Sequence, residues 1–176
     1  MGYFKEDLVN IKGFAFDVDG VLSKTVQTLD ANGVPMRTTN IKDGYAIVQA
    51  VKMGYPIAII TGGKSQAVEN RYAALGVEDI YIGANDKVAA LKEWAEKHNL
   101  KKEQILFIGD DIPDYDAMKS VGLPVCPKDA AAEIKAISRH ISSYNGGEGI
   151  VRDMIEQVLK VQEKWTISKE TPWSSY

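Results

Sequence analysis

Five short runs of apolar residues recur along the chain, and each closes on polar residues or glycine. They span residues 14–18, 57–61, 80–83, 105–110 and 123–126. Their length and apolar character indicate strands that are buried on both faces. Helical spacing of apolar residues follows in residues 43–53, 64–75, 86–97, 114–121 and 149–161. This alternation predicts an α/β fold, a Rossmann-like three-layer parallel sheet covered by helices, whose ligand site lies beyond the carboxyl ends of the strands.

Residues 23–39 interrupt the alternation directly after the first strand. Apolar residues flank an Asn-Gly pair in this segment, in the order Val26, Leu29, Asn32, Gly33, Val34 and Met36. An Asn-Gly pair between such residues is typical of a hairpin turn. We therefore expect a β-hairpin flap near the site, with a mobile surface loop as the alternative. The segment is too short to form an independent cap domain.

Length and composition limit the organisation and the partners of the chain. With 176 residues and 45% hydrophobic content, we predict one domain over residues 1–163 and a C-terminal tail over residues 164–176. The 21 basic and 24 acidic residues argue against a nucleic-acid partner, and no apolar run approaches the roughly 20 residues that cross a bilayer. The single Cys126 and the absence of a secretory leader favour a cytoplasmic protein.

Acidic residues follow two of the predicted strands. Asp17 and Asp19 lie at the end of the first strand, before Gly20, and the run Gly109-Asp110-Asp111 closes the fourth, with Asp114 three residues later. Clustered carboxylate oxygens suit Mg²⁺, which accepts water and phosphate as its remaining ligands. Asp111 and Asp114 have two interpretations, because either can orient a neighbouring group and Asp114 can cap a helix.

Phosphate-binding groups lie between the two acidic clusters. Thr61 and Gly62 end the second strand, and Lys87 begins a helix. A hydroxyl, main-chain amides and an ammonium group are the donors that a phosphoryl group requires.

The order of these groups, Asp-x-Asp-Gly, then Thr-Gly, then Lys, then Gly-Asp-Asp-x-x-Asp, resembles the four motifs of the haloacid dehalogenase superfamily. The resemblance implies that Asp17 is a covalent nucleophile and that Asp19 protonates the leaving oxygen and later activates water. It also implies that Thr61 and Lys87 bind phosphoryl oxygens. Mg²⁺ would be held by the Asp17 carboxylate, the Asp19 main-chain carbonyl and Asp110.

Further segments resemble the capless 3-deoxy-D-manno-octulosonate 8-phosphate (KDO 8-phosphate) phosphatase family within that superfamily. They are the hairpin, the Asn40-Ile41-Lys42-Asp43-Gly44-Tyr45 run, the helix with Arg71, and residues 146–152. This resemblance implies a Mg²⁺-dependent phosphatase of lipopolysaccharide precursor biosynthesis. The implied substrate-binding residues are Ile41, Lys42, Asp43, Gly44, Tyr45, Gly62, Arg71 and Lys87.

Two of these residues also have simpler interpretations. Asp43 can be a helix cap, and Arg71 can be a solvent-facing arginine. The chain also departs from the family pattern, because many members have arginine two residues after the motif threonine, where this chain has Gly63. A phosphatase of the related nine-carbon sugar acid 9-phosphate is therefore an alternative. A phosphoacceptor signalling domain, which has a similar mixture of acids, hydroxyl and lysine, and a non-catalytic binding domain with the same fold are the alternatives of a different class.

The resemblance also implies an assembly. Family members would be homotetramers in which neighbouring subunits cover the active site. The tail would enter an adjacent site, so that Trp173 and Tyr176 are candidate lid residues.

Overall fold

The computed structural model describes residues 4–166 and contains a central parallel sheet. The strands are β1 Gly13–Phe16, β2 Thr28–Leu29, β3 Pro35–Met36, β4 Ile57–Thr61, β5 Asp79–Ile82, β6 Ile105–Ile108, β7 Leu123–Cys126 and β8 His140–Ile141. Six of them form one sheet in the order β5-β4-β1-β6-β7-β8, with all neighbours parallel. Because β1 is central, its carboxyl end lies between those of β4 and β6.

Helices cover both faces of the sheet. They are α1 Phe4–Asn10, α2 Ile41–Lys52, α3 Gln66–Ala74, α4 Lys87–Lys97, α5 Tyr115–Lys119, α6 Ala132–Ile137 and α7 Ile150–Val161. Side chains alternate along a strand, so Phe14 and Phe16 pack with α1, α2, α3 and α7, whereas Ala15 packs with α4, α5 and α6. The predicted three-layer α/β fold is confirmed. No helix in residues 4–166 is long and apolar enough to cross a membrane.

The structure adds short elements and shortens two predicted strands. Helices α1 and α6 and strand β8 were not predicted, since each is too short to give a clear apolar period. The strands predicted to reach residues 18 and 110 end at Phe16 and Ile108. Beyond these points the backbone still forms cross-strand bonds, with the Asp17 amide donating to the Ile108 carbonyl at 3.0 Å. The acids that follow thereby begin the loops above the sheet.

The segment after β1 forms the predicted hairpin rather than a surface loop. Strands β2 and β3 are antiparallel, with Thr28 opposite Met36. Gly33 has φ +76°, which the turn requires, and the Asp30 carboxylate accepts bonds from the amides of Asn32 and Val34. The strands of this hairpin flap, residues 23–39, are exposed.

Helices α2 and α7 are joined through a buried carboxylate. The N-cap of α2 is Asn40, whose side chain accepts bonds from the amides of Lys42 and Asp43, so Asp43 is not the cap. Instead, Asp43 accepts a bond from the Arg152 amide at 2.7 Å, while its Oδ2 is buried with no hydrogen-bond partner. Burial raises the pKa of Asp43 to about 6, against the opposing effect of the bond from Arg152. The Asp43 carboxylate therefore connects α2 and α7, and above about pH 6 its buried negative charge destabilises the folded chain.

We expect Asp43→Asn to change the pH dependence of stability. The pKa of Asp43 is higher in the folded than in the unfolded chain, so its contribution to stability is largest below about pH 4 and falls as pH rises to about 6. Asparagine keeps an acceptor and does not ionise. Urea unfolding of both proteins gives the difference in free energy of unfolding, variant minus wild type. This difference should increase as pH rises from 4.5 to 8, by at most about 3 kcal/mol. The exposed Asp116→Asn is the control, and a difference that does not change with pH would contradict the prediction.

Candidate active site

The carboxyl ends of β1, β4 and β6 surround a cavity of about 490 Å³. Phe16 lies opposite Ile108 in the sheet register, so the residues that follow these strands begin side by side. The cavity is lined by Asp17, Asp19, Gly20, Thr25, Thr61, Gly62, Gly63, Ala84, Asn85, Lys87, Asp110, Asp111 and Pro113. The sheet thus brings together every predicted catalytic and metal-binding residue.

The turn after Asp19 depends on glycine. Gly20 has φ +81°, a conformation that other residues rarely adopt, and a Cβ atom there would lie 1.9 Å from Asp110 Oδ2. The glycine therefore lets the loop after β1 approach the acid that follows β6. This close approach explains why an acidic pair followed by glycine is needed here.

Lys87 is a buried cation between two carboxylates. Asp86 caps α4 by accepting a bond from the Ala89 amide, which places Lys87 at the first helical position. Its Nζ lies 2.9 Å from Asp17 Oδ2 and 2.6 Å from Asp114 Oδ1. Burial lowers the pKa of Lys87, but the two carboxylates outweigh that effect and raise it. The side chain is therefore a fixed positive charge.

Asp114 orients other groups in the cavity. Its second oxygen, Oδ2, accepts a bond from the Asp110 amide at 3.0 Å, while its first contacts Lys87. It makes no side-chain cap of α5. Of the two interpretations of this residue, the structure therefore favours the orienting one. Asp111 is exposed at the rim of the cavity.

Three carboxylates share this small volume. Oxygens of Asp17, Asp110 and Asp114 lie within 4.8 Å of one another. Burial raises the pKa of Asp17 to about 7, with a further contribution from Asp114 and opposition from Lys87. Burial also raises the pKa of Asp110 to about 8, and the nearby charges of Asp17 and Asp114 add to this effect. The single positive charge of Lys87 does not balance the charges of three ionised carboxylates.

A divalent cation fits this arrangement. No hydrogen bond to the Asp110 carboxylate occurs within residues 4–166, whereas both Asp114 oxygens have donors. Among the described residues, Asp110 is thus the carboxylate of the three with free oxygens, whereas Asp17, which accepts from the Val18 amide and contacts Lys87, lines the cavity together with it. Hard oxygen ligands with excess negative charge match Mg²⁺.

Thr61 and Gly62 line the cavity from the end of β4. Thr61 ends β4 and is 3% exposed, and its hydroxyl accepts a bond from the Gly63 amide at 3.2 Å. The bond orders the turn after β4, so that its polar groups lie beside the acids.

Asp19 has a different environment from Asp17, although only Val18 separates them. Its carboxylate accepts bonds from Gln27 Nε2 at 2.7 Å and from Arg37 Nε and Nη2 at 2.9 and 2.8 Å. Both donors belong to the hairpin flap. The sequence patterns do not single out Gln27 or Arg37. They predict only that the flap lies near the site.

Arg71 lines a second groove, of about 460 Å³, together with Arg37 and Tyr72. Its Nε is buried without a hydrogen-bond partner, and its Nη2 would lie 2.9 Å from a Cβ atom on Gly44. Arg37 also contacts Asp19, so this groove begins where the catalytic cavity ends. Arg71 is therefore not a solvent-facing arginine.

The predicted run from Ile41 to Tyr45 does not line the catalytic cavity of the same chain. Ile41, Lys42 and Tyr45 line another groove with Arg152 and Trp165, whereas Asp43 and Gly44 are buried. The guanidinium of Arg152 lies over the rings of both Tyr45 and Trp165. A substrate-binding role for these five residues stays a prediction.

The cavity has the groups for nucleophilic attack on phosphorus. Asp17 is a buried carboxylate beside a fixed cation, Thr61 and the following amides are donors for phosphoryl oxygens, and Asp19 is a second carboxylate at the cavity wall.

Comparison with known proteins gives consistent matches. A family model described as haloacid dehalogenase-like hydrolase matches residues 79–154. The 3-deoxy-D-manno-octulosonate 8-phosphate phosphatase KdsC of Escherichia coli strain K12 is 36% identical over 155 residues, which are 88% of this chain and 82% of that protein.

Solved structures agree with this match. The phosphatase of the same name from Yersinia pestis is 32% identical with a TM-score of 0.87, over 91% of this chain and 86% of the other. The Moraxella catarrhalis phosphatase, solved with a magnesium ion, a phosphate ion and KDO, is 32% identical with a TM-score of 0.85, over 90% and 91% of the two chains. The chain therefore belongs to the 3-deoxy-D-manno-octulosonate 8-phosphate phosphatase family of haloacid dehalogenase-like hydrolases.

Proposed function

We propose that this chain is a Mg²⁺-dependent phosphatase that hydrolyses KDO 8-phosphate to KDO and phosphate, a cytoplasmic step in lipopolysaccharide precursor biosynthesis. The observation that carries the proposal is the buried Asp17 carboxylate 2.9 Å from the Lys87 ammonium group, in a cavity that Asp110 and Thr61 also line. Relatives that are named for this reaction match most of the chain.

In the first step an Asp17 oxygen attacks phosphorus and the bond from phosphorus to the sugar oxygen breaks. Asp19 gives a proton to the leaving oxygen, which departs as an alcohol. Lys87 and Thr61 stabilise the negative charge on the phosphoryl oxygens. The products of this step are KDO and an aspartyl phosphate.

In the second step water attacks the phosphorus of the aspartyl phosphate. Asp19 is now ionised and takes a proton from this water, and the bond from phosphorus to Asp17 breaks. Inorganic phosphate leaves, and both aspartates return to their initial states.

Asp17, Asp110 and the Asp19 main-chain carbonyl would hold Mg²⁺. When bound, the ion offsets the repulsion between the carboxylates and the substrate phosphate. Burial, together with the neighbouring carboxylates, raises the pKa values of Asp17 and Asp110, and a bound cation would offset both effects by favouring the ionised ligands.

The second groove supports a sugar acid as substrate. Arg71 has a buried Nε without a partner there, and a guanidinium matches a carboxylate with two parallel bonds. Gly63 supplies neither the arginine found in many family members nor the glutamate of the nine-carbon relative, so this position does not choose between their substrates and the nine-carbon 2-keto-3-deoxy sugar acid 9-phosphate is the second candidate.

The exposed flap supports a homotetramer in which neighbouring subunits cover the active site. Val26, Leu29, Val34 and Met36 are 86%, 63%, 49% and 51% exposed, and such a group of apolar side chains is typical of an interface. A monomer mass in light scattering would contradict the tetramer.

The domain boundaries, one domain over residues 1–163 and a tail over 164–176, remain part of the proposal. The candidate lid residues Trp173 and Tyr176 lie outside the described residues.

We expect phosphate release from KDO 8-phosphate to exceed that from ordinary hexose phosphates in kcat/KM. Asp17→Asn should lower kcat by roughly 1,000-fold or more, since an amide is a poor nucleophile. The assay is a phosphate-release measurement with Mg²⁺, and it includes the nine-carbon acid phosphate. A preference for the nine-carbon acid phosphate would leave the mechanism unchanged and change the assigned substrate. Activity retained by Asp17→Asn would contradict the role of Asp17 as the nucleophile.

We expect Mg²⁺ to stabilise the protein more at pH 8 than at pH 6. Without the ion, the pKa values of about 7 for Asp17 and about 8 for Asp110 lie above the ordinary value of 3.8. Stability should therefore fall as pH rises from about 4 to 8. Protons compete with the ion at pH 6, so the rise in Tm with Mg²⁺ should be larger at pH 8.

Asp110→Asn gives the matched test of this prediction. The variant should lose less stability between pH 6 and 8 without the ion, and its Tm should no longer respond to Mg²⁺. Asp116→Asn, an exposed residue on α5, should behave as wild type. An equal Tm response at both pH values, retained in Asp110→Asn, would mean that Mg²⁺ binds elsewhere.

A further inference from the structure

The hairpin flap supplies every hydrogen bond that the Asp19 carboxylate makes within residues 4–166. Arg37 contacts both oxygens, with Nε 2.9 Å from Oδ1 and Nη2 2.8 Å from Oδ2. Gln27 Nε2 adds a bond to Oδ1 at 2.7 Å. The Arg37 side chain is only 15% exposed, although the Asp19 side chain is 41% exposed. The cation is therefore enclosed by protein, and this fork geometry fixes the plane of the carboxylate.

The space that Arg37 occupies exists because residue 63 is glycine. A Cβ atom on Gly63 would lie 2.6 Å from Arg37 Nη2 and 3.3 Å from its Cζ. The same atom would be 3.5 Å from Asp19 Oδ2. Any side chain at position 63 would thus displace the guanidinium. Conversely, a long side chain there would begin within reach of Asp19.

The root of the flap holds Arg37 in place. The Thr38 amide donates to the hydroxyl of the buried Ser23 at 2.9 Å, and the Lys24 amide donates to Thr38 Oγ1 at 3.0 Å. These bonds join the two ends of the flap directly next to Arg37. The guanidinium therefore starts from an anchored backbone position, even though the outer flap is exposed.

We propose that Arg37 is the positioning residue for Asp19 and that Gly63 provides the space for its guanidinium. This inference rests on the proposed function, because it assigns Asp19 the transfer of protons. Arg37 holds the ionised carboxylate at the cavity wall, in the form that takes a proton from water in the second step, and the oxygen that carries the proton in the first step gives up its bond to Arg37. The flap thereby takes part in turnover through one ion pair. Misplacement of a catalytic group by about 1 Å lowers rates by roughly 100-fold.

The test is a reciprocal exchange of arginine between positions 37 and 63. Arg37→Ala should lower kcat for KDO 8-phosphate by roughly 10- to 100-fold, with a smaller change in KM, because Arg71 remains as the guanidinium of the second groove. Arg37→Lys should lie between the alanine variant and wild type, since an ammonium group cannot contact both oxygens in the same way. Gly63→Arg alone should also lower kcat by displacing Arg37.

The double variant Arg37→Ala/Gly63→Arg should regain at least about tenfold in kcat over Arg37→Ala, because a guanidinium returns beside Asp19 from the opposite loop. A residue that only stabilises the flap would give additive losses instead. Lys24→Ala removes a cation from the same segment and should leave kcat unchanged. Additive losses in the double variant, or an equal loss in Lys24→Ala, would overturn the proposal.

Two further measurements separate this inference from the proposed function. p-Nitrophenyl phosphate is assayed beside KDO 8-phosphate, so the exchange can be read from any monoester that the protein hydrolyses. If neither compound is turned over, the proposed function fails, and a crystal structure of Arg37→Ala tests the contact. The Asp19 carboxylate should leave its position in that structure, and an unmoved carboxylate would overturn the proposal.

Discussion

Repulsion among the carboxylates of Asp17, Asp110 and Asp114 is the interaction on which the site depends. Their oxygens lie within 4.8 Å of one another, and a single buried lysine contacts two of them. Burial opposes the ionisation of Asp17 and Asp110 most strongly, and repulsion from the neighbouring carboxylates adds to it, so the pKa values of both are raised. An ionised Asp17 at neutral pH therefore requires additional positive charge. The arrangement couples the readiness of the site to the binding of a cation.

The fold imposes this proximity through the order of its strands. Strands β1 and β6 are neighbours in the sheet although about 90 residues separate them, so the loops that follow them must share one small volume. Gly20 removes the steric barrier between the loops, and Asp114 fixes both the Asp110 amide and Lys87. The apolar layers beneath are buried on both faces of the sheet, with side chains of β1 alternating between them. Core packing thus maintains a site that electrostatics alone would disperse.

The sequence predicted the parts that follow from short-range patterns. Apolar runs located the strands, acids or donors at the strand ends located Asp17, Thr61 and Asp110 in one cavity, and the start of a predicted helix located Lys87 there. The pairing of Asp19 with Arg37 was not predicted, because it depends on how far the flap folds back over the sheet. The burial of Asp43 was missed for a related reason. Its partner is a main-chain amide of α7, and no side-chain pattern marks such a contact.

Different elements hold Asp17 and Asp19, although only Val18 separates them in the chain. Lys87, at the start of α4, contacts Asp17, whereas Arg37 of the hairpin flap contacts Asp19. In the proposed mechanism, a chain that kept the first contact and lost the second would still carry both aspartates, but Asp19 would no longer be held for the attack of water on the aspartyl phosphate. The lifetime of the phosphorylated aspartate would then depend on how the hairpin flap is seated.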